Sequence, residues 1–392
     1  MHVFLSPPVC AMPRSVYLDY NATTPVADCV FERMKPYFTT HYGNAASGHS
    51  HGWRAESAVD VAREQVAALL DTEPERLTFT SGATEALNMA IKGIAQHSAI
   101  DTPHIVTVAT EHKAVLESCQ VLEQQGTARV TYCSVDAEGR LAPNTLADAL
   151  TDNTVLVAVM HANNETGVRH PIADCYNMVR NHRALFLTDA TQALGKVPVN
   201  VQHADLLVGS AHKLYGPKGV GVLYRRVGVQ CPRFIDGGGQ ERGLRGGTLN
   251  VPAVVGFGAA AKIAAERQSE DAERWRTLQT TFESALQTRF PNIRINGGEA
   301  ERLPQTTNVT LPGTNAERLV QALRTVSCAT GSACASTDPK PSHVLRAMGH
   351  SPAEAHASLR FSAGRATTED DLLYAVDALE QARPLARATH PA

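Results

Sequence analysis

The chain has 392 residues, enough for two domains or for one large domain with a smaller companion. It is 43% hydrophobic and 19% charged, the balance of a globular protein with a substantial core. A net charge of -3 without a dense basic run argues against a nucleic-acid binder, and no apolar stretch approaches the ~20 residues of a membrane-spanning helix.

Residues 1–15 lack a basic segment ahead of their short apolar part, and Pro7-Pro8 interrupts it, so no signal peptide is expected. The eight cysteines, at 10, 29, 119, 133, 175, 231, 328 and 334, contain no Cys-x-x-Cys pair. That spacing points to neither a zinc ribbon nor a thioredoxin-like site, and no metal is expected. Reduced thiols in a cytoplasmic protein are expected instead, most of them buried as small hydrophobes.

From about Val26 to Ala265, short apolar runs alternate with amphipathic stretches. This pattern predicts an α/β layer fold with a mostly parallel sheet. Gly48-His49-Ser50-His51-Gly52 matches a nucleophile elbow, but no buried strand precedes it, so the match is read as coincidence. Leu77-Thr78-Phe79 reads as a strand, and Ser81-Gly82-Ala83-Thr84 then turns into a helix. His104 to Val108 is a further strand, followed by a helix with Val115, Cys119 and Leu122 on one face and Gly126 as its stop. Val155 to Met160, Leu185 to Thr188 and Leu206 to Val208 are the next apolar strands.

A polar cluster follows each of these strands. In order they are Ser81-Gly82-Ala83-Thr84, Glu111-His112-Lys113, Asn163-Asn164-Glu165, Asp189-Ala190-Thr191-Gln192 and Ser210-Ala211-His212-Lys213. In open α/β sheets ligands bind off the carboxyl ends of the strands, so these clusters are expected to meet in one crevice.

Each cluster has two readings. The Ser81–Thr84 turn is either a helix cap or an anion seat. Asp189 is either half of an internal salt bridge or the partner of a protonated ring nitrogen. His112 is a surface histidine or a ring that stacks on a cofactor and shuttles protons. Lys213, on a tight loop past a buried strand, is a surface charge or an amine with a lowered pKa, nucleophilic toward an aldehyde.

The glycine-dense stretch Asp236 to Thr248 is a floppy linker or a backbone that closely approaches a ligand or second subunit. A long helix is predicted from near Gly256, with Trp275, Leu278, Phe282 and Leu286 as a core stripe. Beyond it the pattern predicts strands at Thr307–Leu311 and Ser358–Ser362, and helices at Asn315–Leu323, Pro341–Met348 and Thr368–Gln381. Arg360, inside the second strand, is a surface residue or a clamp for a carboxylate. Cys334 lies in a run of small and turn-forming residues, Thr330 to Ser342, where a thiol has no packing role and reactivity is expected. Cys328 is expected to be buried.

Taken together, these stretches resemble the cysteine desulfurases, pyridoxal-phosphate enzymes of the class V aminotransferase group, in the branch serving iron–sulfur and nitrogenase assembly. The likeness runs from about Tyr17 to Thr368 and includes Tyr17-Leu18-Asp19-Tyr20-Asn21-Ala22-Thr23-Thr24-Pro25 as well as the clusters above. It implies the fold type I of pyridoxal-phosphate-dependent transferases. A large α/β domain with a mostly parallel seven-stranded sheet would span residues 26–265, and a smaller α+β domain residues 1–25 and 266–392.

The resemblance further implies that Lys213 holds pyridoxal 5′-phosphate as a Schiff base and removes the α-proton. Asp189 would face the pyridine nitrogen, Gln192 the ring hydroxyl and His112 the ring. Asn164 would also touch the cofactor. Ala83, Thr84, Ser210 and His212 would hold the phosphate, joined by Thr248 of a second subunit in a homodimer. Asn44 and Arg360 would bind the carboxylate of L-cysteine, and Cys334 would accept its sulfur as a persulfide. Alanine would be released, and the sulfur would pass to an acceptor protein such as an iron–sulfur scaffold, with no nucleic acid or membrane involved. Where family members often carry Gly-Asn-Pro and Arg-Ser-Gly-Thr, this chain has Gly43-Asn44-Ala45 and Arg245-Gly246-Gly247-Thr248.

Overall fold

A computed structural model describes residues 14–330 and 341–387. Its centre is a sheet of seven strands: β1 (Leu77–Thr80), β2 (His104–Val108), β3 (Arg129–Cys133), β4 (Thr154–Ala158), β5 (Leu185–Asp189), β6 (Leu206–Ser210) and β7 (Gly221–Arg225). Their spatial order is β1-β7-β6-β5-β4-β2-β3. Only β7 is antiparallel to its neighbours, β1 and β6; the remaining pairs are parallel. Strands β1, β2 and β6 are buried along their whole length, and only Thr, His, Gly and Ser interrupt their apolar residues.

Helices α1 (Ser50–Leu70), α2 (Ala83–Gln96) and α3 (Lys113–Gln124) cover the sheet. On one face Leu87, Ile91, Val115 and Leu122 pack with Ile105 and Leu156. On the other, Val59, Val66 and Leu70 pack with Phe79, Val106 and Phe257. The strands lie where the sequence pattern puts them, to within two residues. Strand β3 and helix α1 are among the elements that escaped that pattern. Strand β3 sits at the sheet edge and is largely half-buried, so its apolar run is weak. Helix α1 buries Ala55, Val59, Ala62 and Val66 together with the charged Arg63, which breaks the apolar pattern of its buried face. No strand precedes α1 and His49 caps it, so the elbow-like match at 48–52 is a helix start.

Helix α4 (Val251–Arg289) has 39 residues and is about 58 Å long at 1.5 Å per residue. Its first half buries Val254, Phe257 and Ala261 in the sheet's core. It crosses α1 closely enough that a Cβ on Gly258 would come within 2.5 Å of the Ala62 Cα. Its second half buries Trp275, Leu278, Phe282 and Leu286 in a separate core with Val309, Leu359 and Phe361. That core belongs to a four-stranded antiparallel sheet in which Thr306–Thr310 pairs with Ser358–Ser362. Val16–Tyr17 joins this side by pairing with Val326–Ser327. The predicted helices recur as Ala316–Ala322, His343–Ala347 and Glu369–Ala382, the last with Thr368 and Asp371 forming a capping box.

Phe282 and Phe361 meet edge to face at 5.2 Å, joining α4 to the smaller sheet. Phe282→Ala should destabilise this core by about 3–5 kcal/mol, read as a lowered midpoint in urea unfolding.

Candidate active site

The carboxyl ends of β1, β2, β4, β5 and β6 open into one cavity of about 830 Å³. Ala83, Thr84, His112, Asn164, Asp189, Gln192, Ser210, His212, Lys213 and Arg360 all line it. For all but Arg360, which reaches the cavity from within the strand Ser358–Ser362, the local reason is shared: a buried strand ends and its next polar residues meet open space.

One end of the cavity is an anion seat. Helix α2 opens at Ala83 and Thr84, whose amides lie in the first turn and have no intrahelical acceptor. The turn before it lies against β7 so tightly that a Cβ on Gly221 would come within 2.6 Å of the Gly82 carbonyl carbon. Only glycine permits that approach. Ser210 and His212 line the same cavity from β6. Burial and the neighbouring lysines, Lys213 first, push His212 down to about 4, so its imidazole is neutral.

Lys213 follows β6 and is partly buried. Its Nζ donates to the backbone carbonyls of Asn21 at 2.6 Å and Ala22 at 2.7 Å. Burial, reinforced by Arg360, lowers its pKa to about 8, against the opposing pull of Asp19 and Asp189. Among the described residues no carboxylate lies within ion-pair distance of it.

Asp189 ends β5, is buried, and accepts from the Thr191 amide at 2.9 Å. It has no ion-pair partner among the described residues, and its carboxylate faces the cavity. His112 caps α3, its Nδ1 accepting from the Ala114 amide at 3.1 Å. The proton therefore sits on Nε2 in the neutral ring, and desolvation lowers its pKa despite Asp189.

Arg360 is buried, not a surface residue. It donates to Asp19 at 2.6 Å and to the Asn164 carbonyl at 2.9 Å, and its Nε has no partner. Asn44 and Thr248 are both exposed, and neither lines the cavity within one chain. The glycine-rich stretch before Thr248 is anchored rather than floppy. Glu241 in it pairs with buried Arg63 at 2.7 Å and accepts from the Phe79 amide at 2.7 Å, while Arg245 pairs with Glu85 of α2 at 2.9 Å. Cys334 lies outside the described residues. Cys328 is buried, with its thiol pushed up to about 12 by burial, as its apolar surroundings predict.

The class-V aminotransferase profile matches residues 16–374 of this sequence. The chain belongs to that family. A protein of Anaeromyxobacter sp. (strain Fw109-5), named cysteine desulfurase IscS, is 48% identical over 370 residues, covering 93% of this chain and 91% of its own. A namesake from Rickettsia typhi (strain ATCC VR-144 / Wilmington) is 42% identical over 367 residues, 92% of this chain and 89% of its own. Among solved structures, a NifS-like protein superposes with a TM-score of 0.88 at 36% identity, over 94% of this chain and 98% of its own. SspA in complex with cysteine gives 0.80 at 37% identity, over 89% and 98%.

The cofactor of this class-V enzyme is pyridoxal 5′-phosphate, and the cavity's donor set fits it. An anion seat, an amine of lowered pKa, an unpaired buried carboxylate and an imidazole face the same space. Three further residues in and around this site carry no role in the sequence reading. Asn21 is buried and bridges the two cores, donating to Thr306 at 2.9 Å and, through its amide, accepting from Gln305 at 3.3 Å. Glu165 is raised to about 7 by burial, partly offset by the Ser342 hydroxyl and Arg360. Lys196 sits behind Gln192. Asn21 acts through a backbone carbonyl, which no side-chain pattern advertises, and buried Glu165 and Lys196 look like ordinary surface charges in sequence.

The amine at 213 must lose its proton to attack an aldehyde. The rate at which protein freed of cofactor regains its visible band with pyridoxal phosphate should rise through about pH 8 and level off above it. A midpoint near that of a solvated lysine would show that Lys213 is not desolvated.

Proposed function

We propose that the protein is a cysteine desulfurase that converts L-cysteine to L-alanine and carries the sulfur away as a persulfide on Cys334. The observation that carries this reading is a lysine amine and an unpaired buried carboxylate, Lys213 and Asp189, facing one cavity beside an anion seat.

Pyridoxal phosphate, when bound, supplies an electron sink conjugated to the α-carbon of the substrate. The chain's own residues do the rest. The amides of Ala83 and Thr84, with Ser210 and His212, hold the phosphate, and Thr248 of a second copy joins them. Asp189 keeps a proton on the pyridine nitrogen, Gln192 faces the ring hydroxyl, His112 covers the ring, and Asn164 holds it from the β4 side. Arg360, with Asn44, takes the substrate carboxylate; three of the five guanidinium N–H groups are left beyond its bonds to Asp19 and the Asn164 carbonyl. Lys213, freed from the cofactor, removes the α-proton at Nζ and gives a proton back as alanine forms.

Cys334 acts as thiolate. Its Sγ bonds to the substrate sulfur, the sulfur–Cβ bond breaks, and that electron pair stays on the carbon skeleton, which takes up protons to leave as alanine. The sulfur is oxidised and Cβ reduced in the same step, so no outside oxidant is needed. Chain length supports this role. Ala329 pairs with Arg360 at the cavity wall, and Cys334 is four residues past Thr330, a reach of up to ~14 Å.

The working unit is a homodimer. Phe31, Phe38, Tyr42 and Trp53 expose 51–69% of their surface on adjoining segments, an apolar face suited to a second copy. Thr248 and Asn44, outside the single-chain cavity, then contribute across or beside that interface. The sulfur passes to an acceptor protein such as an iron–sulfur scaffold, in the cytoplasm. No helix among the described residues is long and apolar enough to cross a membrane.

Cys334→Ser should keep the visible band of the bound cofactor and lose at least a hundredfold of its sulfide release from cysteine under reductant. Full sulfide release by that variant would overturn the persulfide role. Lys213→Ala should lose both.

A further inference from the structure

Lys196 is buried yet does not line the cavity. No carboxylate among the described residues pairs with it. Its Nζ instead donates to two oxygens of one residue, the Gln192 carbonyl at 3.1 Å and the Gln192 Oε1 at 3.2 Å. Gly195, at φ +71°, turns the chain so that this lysine folds back; a Cβ there would meet the Ala264 Cβ at 2.9 Å.

The consequence falls on Gln192. Its Oε1 is taken by Lys196, and its Nε2 donates to the Asn21 carbonyl at 2.9 Å. Both anchors agree on one orientation of the amide, because a flipped amide would set N–H against N–H at Lys196 and oxygen against oxygen at Asn21. One Nε2 hydrogen goes to Asn21, and the second is the only polar hydrogen the side chain has left. The same Asn21 carbonyl also accepts from Lys213 at 2.6 Å. A single carbonyl thus ties the amine to the amide that Lys196 orients.

We infer that Lys196 is a positioning residue that locks Gln192 as a hydrogen-bond donor toward the cofactor's ring oxygen, so that the site accepts an acceptor oxygen there and rejects a donor. This rests on the assignment of Gln192 to the ring hydroxyl made above. When the lysine is neutral its lone pair no longer forbids a flipped amide, and the Asn21 carbonyl, which can only accept, still holds Nε2 on its side. Burial, with Lys213 and Arg360 nearby, brings Lys196 to about 7, and the neutral amine keeps two N–H groups for the same two oxygens.

The test uses the full-length protein and titrates pyridoxal phosphate against its visible band. Lys196→Met keeps volume and apolar stem while removing the donor, and should bind the cofactor about tenfold more weakly, with a displaced band maximum. Gln192→Leu should weaken binding comparably, and Lys196→Met added to Gln192→Leu should cause no further loss, since the lysine acts only through that amide. Losses that multiply in the double variant would overturn the inference, as would an unchanged affinity and band in Lys196→Met. Gln192→Glu covers the case in which Lys196→Met does not fold. Its carboxylate still pairs with Lys196 but offers only acceptors, so it should fold and bind at least tenfold more weakly; wild-type affinity in it would refute the lock. A wild-type protein with no visible band would instead defeat the cofactor assignment itself.

Discussion

The site depends on keeping an amine in a cleft without a counter-ion. Charge on a lysine is costly away from water, and the usual remedy is a carboxylate at contact distance. Among the described residues Lys213 donates to the carbonyls of Asn21 and Ala22, with the cation of Arg360 nearby and Asp19 and Asp189 opposing it from beyond contact distance. Carbonyl dipoles hold the amine in place in either protonation state, whereas a carboxylate would fix the charged one. The arrangement suits the nucleophile, base and acid roles proposed for Lys213. It also explains why Asp19 is bound to Arg360: the acidic residue near the amine is already engaged elsewhere.

Asn21 is where this constraint meets the fold. Its carbonyl takes Lys213 and Gln192 of the large sheet, while its amide reaches Thr306 and Gln305 and its backbone N–H reaches Ser362 of the smaller one. The two cores are therefore joined at the reacting amine as well as through the long helix α4. A shift of one core against the other would move the carbonyls that hold Lys213. Stability between the cores and chemistry at the amine share the same hydrogen bonds.

The outer parts of the site follow a different rule. The stretch leading to Thr248 is nailed down by the Arg63–Glu241 pair and by Arg245 on Glu85, yet Thr248 itself points to no partner in its own cavity. Two ion pairs, one of them buried and bidentate, are a large investment for a loop with nothing to present. They make sense if the tip is offered to another molecule, and the exposed Phe31, Phe38, Tyr42 and Trp53 fit the homodimer proposed above.

How much of this was legible in the sequence follows from what each feature is made of. Buried strands are rich in apolar residues, so β1, β2, β4, β5 and β6 and the polar clusters at their ends could be read in order, and with them Lys213, Asp189 and His112. The capping box at Thr368 and the core stripe of α4 are local patterns and were equally plain. Helix α1 was hidden because its buried face includes the charged Arg63, and edge strand β3 because it is largely half-exposed. The resemblance to a known family added roles, but the environment of each group was beyond any linear reading. Whether Asp189 was paired, whether Arg360 was buried, and which atoms of Asn21 faced the amine depend on chain segments far apart in number. Desolvation and hydrogen bonding are properties of what surrounds a group. The sequence alone therefore determined which chemical groups stand at the ends of the strands, and only the tertiary structure decided their partners, their protonation and the hydrogen bonds that join Lys196 to Gln192.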